Sequence, residues 1–380
     1  MKNTINYYNN ELKALKRSGR YRERHLRNND LIDCASNDYL GLAQNAEVRQ
    51  KSIAAYECYS QTHPHAPMAS MLVNGYHEAH YAFEQELCRV NGFEEGVILG
   101  SGFNANIALI EALVRRGDTL FIDEKYHASG MLATKYLDAD VVIFKHNDPQ
   151  ALRYGLQKST SRRNIVAVEG IYSMDADLLD KEIIEIADEF EALLIIDEAH
   201  SSGVIGAHLM GAYDYHDITI KPNHIKMGTL GKAYGSFGAY ILASSHIIDF
   251  LINRAKPIIY ATAPSLFDTI MGHESLKYII EHSEKIKQNI VSHQDIVYQN
   301  LDIKVAGLIV PIVVGDNNKV IMIQNELKEL GYHVGAIRQP TVDKAIIRVI
   351  ARLNVSTNEL DFVTKKIKEL LLCPAEEVAR

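Results

Sequence analysis

The feature that most restricts the fold is a repeated grammar: a short apolar run, a turn bearing Gly or Asp, then a segment whose apolar residues recur at helical spacing. The apolar runs fall at 96–99, 119–122, 141–144, 165–168, 192–196, 225–227 and 239–242. The intervals between them accommodate helices, for instance over 104–115 and 181–191. Strands that alternate with helices predict a mostly parallel sheet covered on both faces, an α/β architecture. After about residue 270 the pattern changes. A long charged helical segment over 268–301 precedes strand (307–314), helix (319–330), two strands (333–337 and 345–350) and helix (357–371), which predicts a smaller α+β unit. The expected division is an N-terminal arm at 1–45, a large domain at 46–275 and a C-terminal domain at 276–380.

Charge and cysteine usage narrow the function classes. Forty Lys and Arg against 48 Asp and Glu give a net charge of −8, which argues against a nucleic-acid-binding surface. The charge is segregated, because residues 1–30 carry net +5 and the remainder −13. Cys34, Cys58, Cys88 and Cys373 form no CxxC pair, so neither a disulfide framework nor a thiolate zinc site is expected. The N-terminus lacks an apolar signal core, and the longest apolar stretch, near 306–314, is too short to span a bilayer. A reducing cytoplasm is the expected location. The residues PAEEVAR at 374–380 read as a frayed tail.

Three constellations carry chemistry. The first, Gly100-Ser101-Gly102-Phe103-Asn104-Ala105, follows a strand and opens a helix, where backbone N–H groups and the helix dipole favour a phosphate. It also matches GxGxxA, and Asp123 lies 21 residues beyond Gly102, as a dinucleotide fold would require. The second is LLIIDEAHSSGVIG at 193–206, whose apolar run delivers Asp197 to the carboxyl edge of a sheet, with His200 close behind. Asp-Glu-Ala-His is also a helicase signature, but that function requires a GxxxxGK[ST] loop, and Gly231-Lys232 is followed by Ala233. The third is KMGTLGKAYGSFG at 226–238, with Lys232 among small residues that admit a bulky ligand. Desolvation there would keep part of the lysine amine neutral and nucleophilic.

The three converge. Pyridoxal phosphate needs an amine for its aldehyde, a carboxylate for its pyridine nitrogen and donors for its phosphate. Lys232, Asp197 and the turn at 101–104 supply that set from three strand-to-helix turns. His63, His65, His77 and His80 do not complete HExxH and have no evident third partner, so no metal is expected.

These motifs resemble the pyridoxal-phosphate-dependent α-oxoamine synthases, of aspartate-aminotransferase-like fold type I. The resemblance runs from about residue 37 to 371 through SNDYLGL (36–42), SGFNAN (101–106), DEKYHAS (123–129), VEGIYSMDAD (168–177), IIDEAHSSGVIG (195–206) and GTLGKAYGSFGAY (228–240). The AIRQPTV segment (336–342) is similar to that of a branch that joins L-alanine to a pimeloyl thioester. The resemblance implies that Lys232 forms the Schiff base, Asp197 pairs with the pyridine nitrogen and His127 stacks on the ring. It gives Ser173 and His200 to the phenolic oxygen, and Ser101, Gly102, Phe103 and Thr229 to the phosphate or cofactor cradle. Glu169 and Asn37 would line the site, Arg338 would clamp the amino-acid carboxylate, and Thr341 and Arg22 match substrate positions. It further implies a homodimer with active sites at the interface, Tyr260 to Thr262 reaching the neighbour's phosphate, and coenzyme A or acyl carrier protein as thioester carrier. The chain departs from the family at Met71, where a positive side chain is usual, and at Gln339 and Asp343, which replace prolines. The expected reaction is a decarboxylative condensation giving CO2 and free thiol. The alternatives are a glycine-using synthase of the same family and a nicotinamide dehydrogenase built on the Gly102 turn and Asp123.

Overall fold

The computed structural model describes residues 2–18 and 20–372. Cys373 and the expected tail at 374–380 therefore lie outside the described residues. The chain divides into two units, Met1–Ile32 and Asp33–Arg380. The first contains the helix Lys2–Arg17, whose last turn carries Lys16 and Arg17, the sign the C-terminal dipole favours. In that unit Lys16 Nζ lies 4.5 Å from the centre of the Tyr21 ring.

The second unit is organised on a seven-stranded sheet of β1 (Glu95–Leu99), β2 (Thr119–Asp123), β3 (Asp140–Phe144), β4 (Asn164–Glu169), β5 (Leu193–Asp197), β6 (His224–Thr229) and β7 (Ala239–Ala243). Each expected strand is present, with both bounds within two residues of those expected. The order is β1-β7-β6-β5-β4-β2-β3, and only β7 runs antiparallel to its neighbours. The central strands are buried along nearly their whole length, which explains why they read as continuous apolar runs rather than alternating ones. Register brings the functional strand ends together. Glu169 pairs with Asp197 and Asp197 with Met227, while Ala239 sits between Leu99 and Thr229. The turn after β1 and the end of β6 thus become neighbours across β7.

This topology excludes the dinucleotide arrangement. A βαβ fingerprint needs the Gly-turn strand beside the strand bearing the acidic residue, yet four strands separate β1 from β2. Asp123 is also fully buried and occupied. Its carboxylate accepts from the Lys125 and Asn147 backbone N–H groups and from Tyr172 Oη, and it pairs with His146 Nδ1 at 3.0 Å.

Beyond the sheet, the helical stretch expected at 268–301 is two helices, Leu266–Glu281 and Ser283–Leu301, broken at His282. Residue 275, the expected end of the large domain, falls inside the first of them. A second, three-stranded antiparallel sheet follows, formed by β8 (Ile309–Gly315), β9 (Gly335–Ile337) and β10 (Ala345–Ile350) in the order β9-β10-β8. The helices Asn317–Glu329 and Thr357–Leu372 belong to the same region. Among the described residues no helix is long and apolar enough to cross a membrane.

Arg352, just past β10, is buried and ties this region to the segment at 33–39. Its guanidinium donates to the Asp33 and Asp38 carbonyls and pairs with the Asp33 and Asp38 carboxylates at 3.0 and 2.8 Å. Arg352→Met is expected to cost about 3–5 kcal/mol, because two nearly buried carboxylates lose their counter-charge. Denaturant titration checks this, and a loss below about 1 kcal/mol would contradict it.

Candidate active site

Lys232 stands in the loop between β6 and β7, where Gly235 adopts a φ of +60° and a Cβ there would lie 2.3 Å from the Ala43 backbone nitrogen. Glycine is required for the loop to pack so closely onto the segment carrying Tyr39. Lys232 Nζ lies 2.7 Å from His200 Nε2, and Tyr39 Oη bonds the other ring nitrogen, His200 Nδ1. Arg348, on β10, hydrogen-bonds Tyr39 and is itself buried, while its Nε and Nη2 find no partner. With Arg348 donating to the Tyr39 oxygen, the Tyr39 hydroxyl proton points at His200 Nδ1. His200 then presents Nε2–H to Lys232, which accepts it as a neutral amine.

Electrostatics agree with that chain. Burial, aided by the Arg348 charge and opposed by Asp197 and Glu169, brings Lys232 down to about 8. Burial also holds His200 well below the ordinary imidazole range, with Lys232, Arg348 and His127 pushing the same way. Glu169, fully enclosed at the end of β4 beside Asp197, is raised well above the carboxylate range by burial and then by the Asp197 charge. Its carboxyl accepts the His127 backbone N–H, and Oε1 is buried without a partner.

Asp197 ends β5. Its Oδ1 accepts the Ala199 N–H at 3.0 Å and its Oδ2 accepts Asn106 Nδ2 at 2.8 Å. His127 caps the helix Ala128–Thr134 and Ser101 caps the helix Gly102–Leu113, where its Oγ accepts the Asn104 N–H. A Cβ at Gly102 would sit 3.6 Å from Thr229 Cβ, so the first turn of that helix and the Thr229 hydroxyl share one concavity. Phe103 projects from the same turn, half exposed. Thr229 Oγ1 donates to the Gly238 carbonyl and accepts the Gly231 N–H.

The remaining expected residues lie further out. Asn37 is part-buried, 3.5 Å from Tyr39 Oη through its side-chain oxygen. Ser173 is part-buried in the loop closed by the Ile171–Leu178 bridge. Arg338 and Thr341 flank the cis Gln339–Pro340 bond and are joined by a Thr341 N–H to Arg338 carbonyl bond of 3.0 Å. Tyr260 and Thr262 are exposed. Arg22 belongs to the Met1–Ile32 unit.

Of the histidines weighed for a metal, His80 and His63 have other partners. His80 takes the His77 N–H on Nδ1 and bonds the Pro264 carbonyl through Nε2, and His63 stacks on Tyr59 with centroids 4.2 Å apart. His146 instead forms a charged brace beneath the Ser173 loop, bridging Asp123 and Asp177. Burial alone would lower it, but hydrogen bonds to those two carboxylates carry it up to about 9. The brace therefore contributes fully below the unfolded value near 6.5 and fades as pH rises through 9. The melting-temperature difference between the wild type and His146→Gln is expected to correspond to about 2 kcal/mol at pH 6 and to shrink towards zero by pH 10. A pH-independent difference would contradict the brace.

Sequence reasoning missed Tyr39, Asn106, Tyr126 and Arg348 as parts of the cluster. Tyr39 and Asn106 stand inside quoted motifs, whereas nothing local marks Arg348, which reaches the site only through the packing of β10.

Fold and site together define a class, and comparison agrees. The pattern of the family described as aminotransferase class I and II matches residues 29–367. The chain belongs to that family, and within it to the α-oxoamine synthases. Among its relatives, the 8-amino-7-oxononanoate synthase of Helicobacter pylori strain J99 is 40% identical over 370 residues, covering 96% of each chain. A putative 8-amino-7-oxononanoate synthase of Aquifex aeolicus is 36% identical, covering 95% of this chain and 97% of its own. Among solved structures, a serine palmitoyltransferase from S. paucimobilis aligns with a TM-score of 0.85 at 20% identity over 97% of both chains. The 8-amino-7-oxononanoate synthase of Francisella tularensis aligns at 0.72 and 24% identity, over 90% of this chain and 99% of that one. The two structural likenesses carry the fold.

Proposed function

We propose that this protein condenses L-alanine with a pimeloyl thioester, giving 8-amino-7-oxononanoate, CO2 and free thiol, with pyridoxal phosphate carried on Lys232. The observation that carries the proposal is the buried chain from Arg348 through Tyr39 and His200 to Lys232, whose amine also feels the Asp197 charge. The residues fit the cofactor. An amine lowered to about 8, a carboxylate and an open glycine turn lie at the strand ends of the seven-stranded sheet, and two buried side chains with unmet hydrogen-bonding capacity, Glu169 and Arg348, belong to the same cluster.

Bound there, pyridoxal phosphate supplies a protonated pyridine that drains charge from the alanine α-carbon and again as CO2 departs. Asp197 would hold the pyridine nitrogen protonated, and His127 would cover the ring face. Ser173 and His200 would reach the phenolic oxygen. Ser101, Gly102, Phe103 and Thr229 would hold the phosphate, using backbone N–H groups at the start of an α-helix. Arg348 accounts for its unmet donors by taking the alanine carboxylate, and Arg338, Thr341 and Asn37 contact the substrates from the rim. Lys232, brought down by its burial to about 8 so that part of its amine is neutral, removes the α-proton, and His200 Nε2 is the proton partner beside it. Free thiols at Cys34, Cys58 and Cys88 accord with a cytoplasmic location. A second copy would complete the site through Thr262, and the thioester would arrive on coenzyme A or acyl carrier protein.

Free-thiol release from pimeloyl-CoA, measured with alanine, glycine and serine in turn, tests the assignment. Alanine is expected to give a kcat/KM at least ~10-fold above the others. A preference for glycine would instead select the glycine-using synthase.

A further inference from the structure

We propose that Asn106 is a positioning residue that, acting through Ser129, sets His127 as the tautomer with its proton on Nε2. The argument begins at Asp197, whose carboxylate can only accept. The Asn106 group facing it at 2.8 Å must therefore be the NH2, which fixes the amide orientation. The Asn106 carbonyl then faces the Tyr126 hydroxyl, which donates to it at 2.7 Å. The second NH2 hydrogen goes to Ser129 Oγ at 3.0 Å, so Ser129 is an acceptor on that side. Its own proton is turned towards His127 Nδ1, 2.7 Å away, and the Ser129 backbone N–H approaches the same nitrogen at 3.3 Å. Two donors converge on Nδ1, so the ring proton resides on Nε2.

Every bond in this relay has one direction, and both polar side chains at its centre, Asn106 and Ser129, are at most 1% exposed. Water therefore has little access with which to reverse it. Asp197 and His127 are the two groups proposed to grip the cofactor ring from its edge and its face. One amide ties them together, so the ring orientation and donor pattern of His127 are set by the carboxylate at the end of β5. The use of the His127 N–H in the reaction rests on the proposed function. The tautomer itself does not.

The test is ¹⁵N NMR of histidine-labelled, cofactor-loaded full-length protein at pH 8, with the His127 signals identified by their loss in His127→Gln. The wild type is expected to show protonated Nε2 and an acceptor-like Nδ1. Ser129→Ala and Asn106→Ala are each expected to shift the tautomer ratio about fivefold towards Nδ1–H, the weight of one hydrogen bond. If Asn106→Ala fails to fold, Ser129→Ala decides alone, since it removes one buried oxygen and retains the backbone donor. An Nδ1–H tautomer in the wild type, or an unchanged ratio in folded variants, would overturn the proposal whether or not the protein condenses alanine.

Discussion

Lys232→Ala is expected to lower turnover by roughly 10⁴-fold while leaving the fold intact. The proposed role asks two things of the lysine that no neighbour can replace: to form the covalent link to the cofactor aldehyde, and to carry the α-proton. His200 Nε2 lies 2.7 Å from it but is held well below the ordinary imidazole range by burial, so it cannot act as a substitute amine. Removing a lysine that is itself driven down to about 8 by burial relieves a desolvation cost, so thermal stability should not fall. Steady-state kinetics and a melting curve check both halves. Residual turnover within tenfold of the wild type would be incompatible with the role assigned to Lys232.

Arg348→Ala is expected to reduce kcat/KM for alanine by about 10²-fold, mainly through KM, the weight of a charge-assisted bond to a carboxylate. The same change should be neutral or stabilising, because Arg348 is a buried cation whose Nε and Nη2 lack partners. Arg348→Lys should recover little, since an ammonium cannot reproduce the planar fork. The contrast with Arg352 is instructive. Two arginines four residues apart are both buried, yet one is saturated by Asp33 and Asp38 and the other bonds Tyr39 with donors to spare. Arg352 substitutions should therefore act on stability and Arg348 substitutions on KM. Unchanged KM in Arg348→Ala would return the carboxylate role to Arg338.

The sheet was legible because its central strands are buried on both faces and read as unbroken apolar runs. Strand order was not, since it depends on which helices cross which face. For that reason Gly102 and Asp123 looked like one dinucleotide unit until four strands were found between them. The break at His282 was invisible because neither Pro nor Gly marks it. The placing of Lys232 and Asp197 at the end of the sheet was legible because each follows an apolar run and has distinctive neighbours, whereas His127 came only from the resemblance of its motif. Arg348 was not legible, because it sits within the apolar run of β10 and reaches the cluster through a contact with Tyr39 more than 300 residues earlier in the chain. The relay through Asn106 and Ser129 was hidden for the same reason, being a product of three elements packing at one sheet edge.

The most direct test of the site is to reduce the protein with borohydride after loading it with pyridoxal phosphate, then map the modified peptide by mass spectrometry. A phosphopyridoxyl group is predicted on Lys232, lost in Lys232→Ala and not transferred to Lys226, whose amine is buried against Asn91 and Met210. Modification at another lysine, or none at all, would contradict the account.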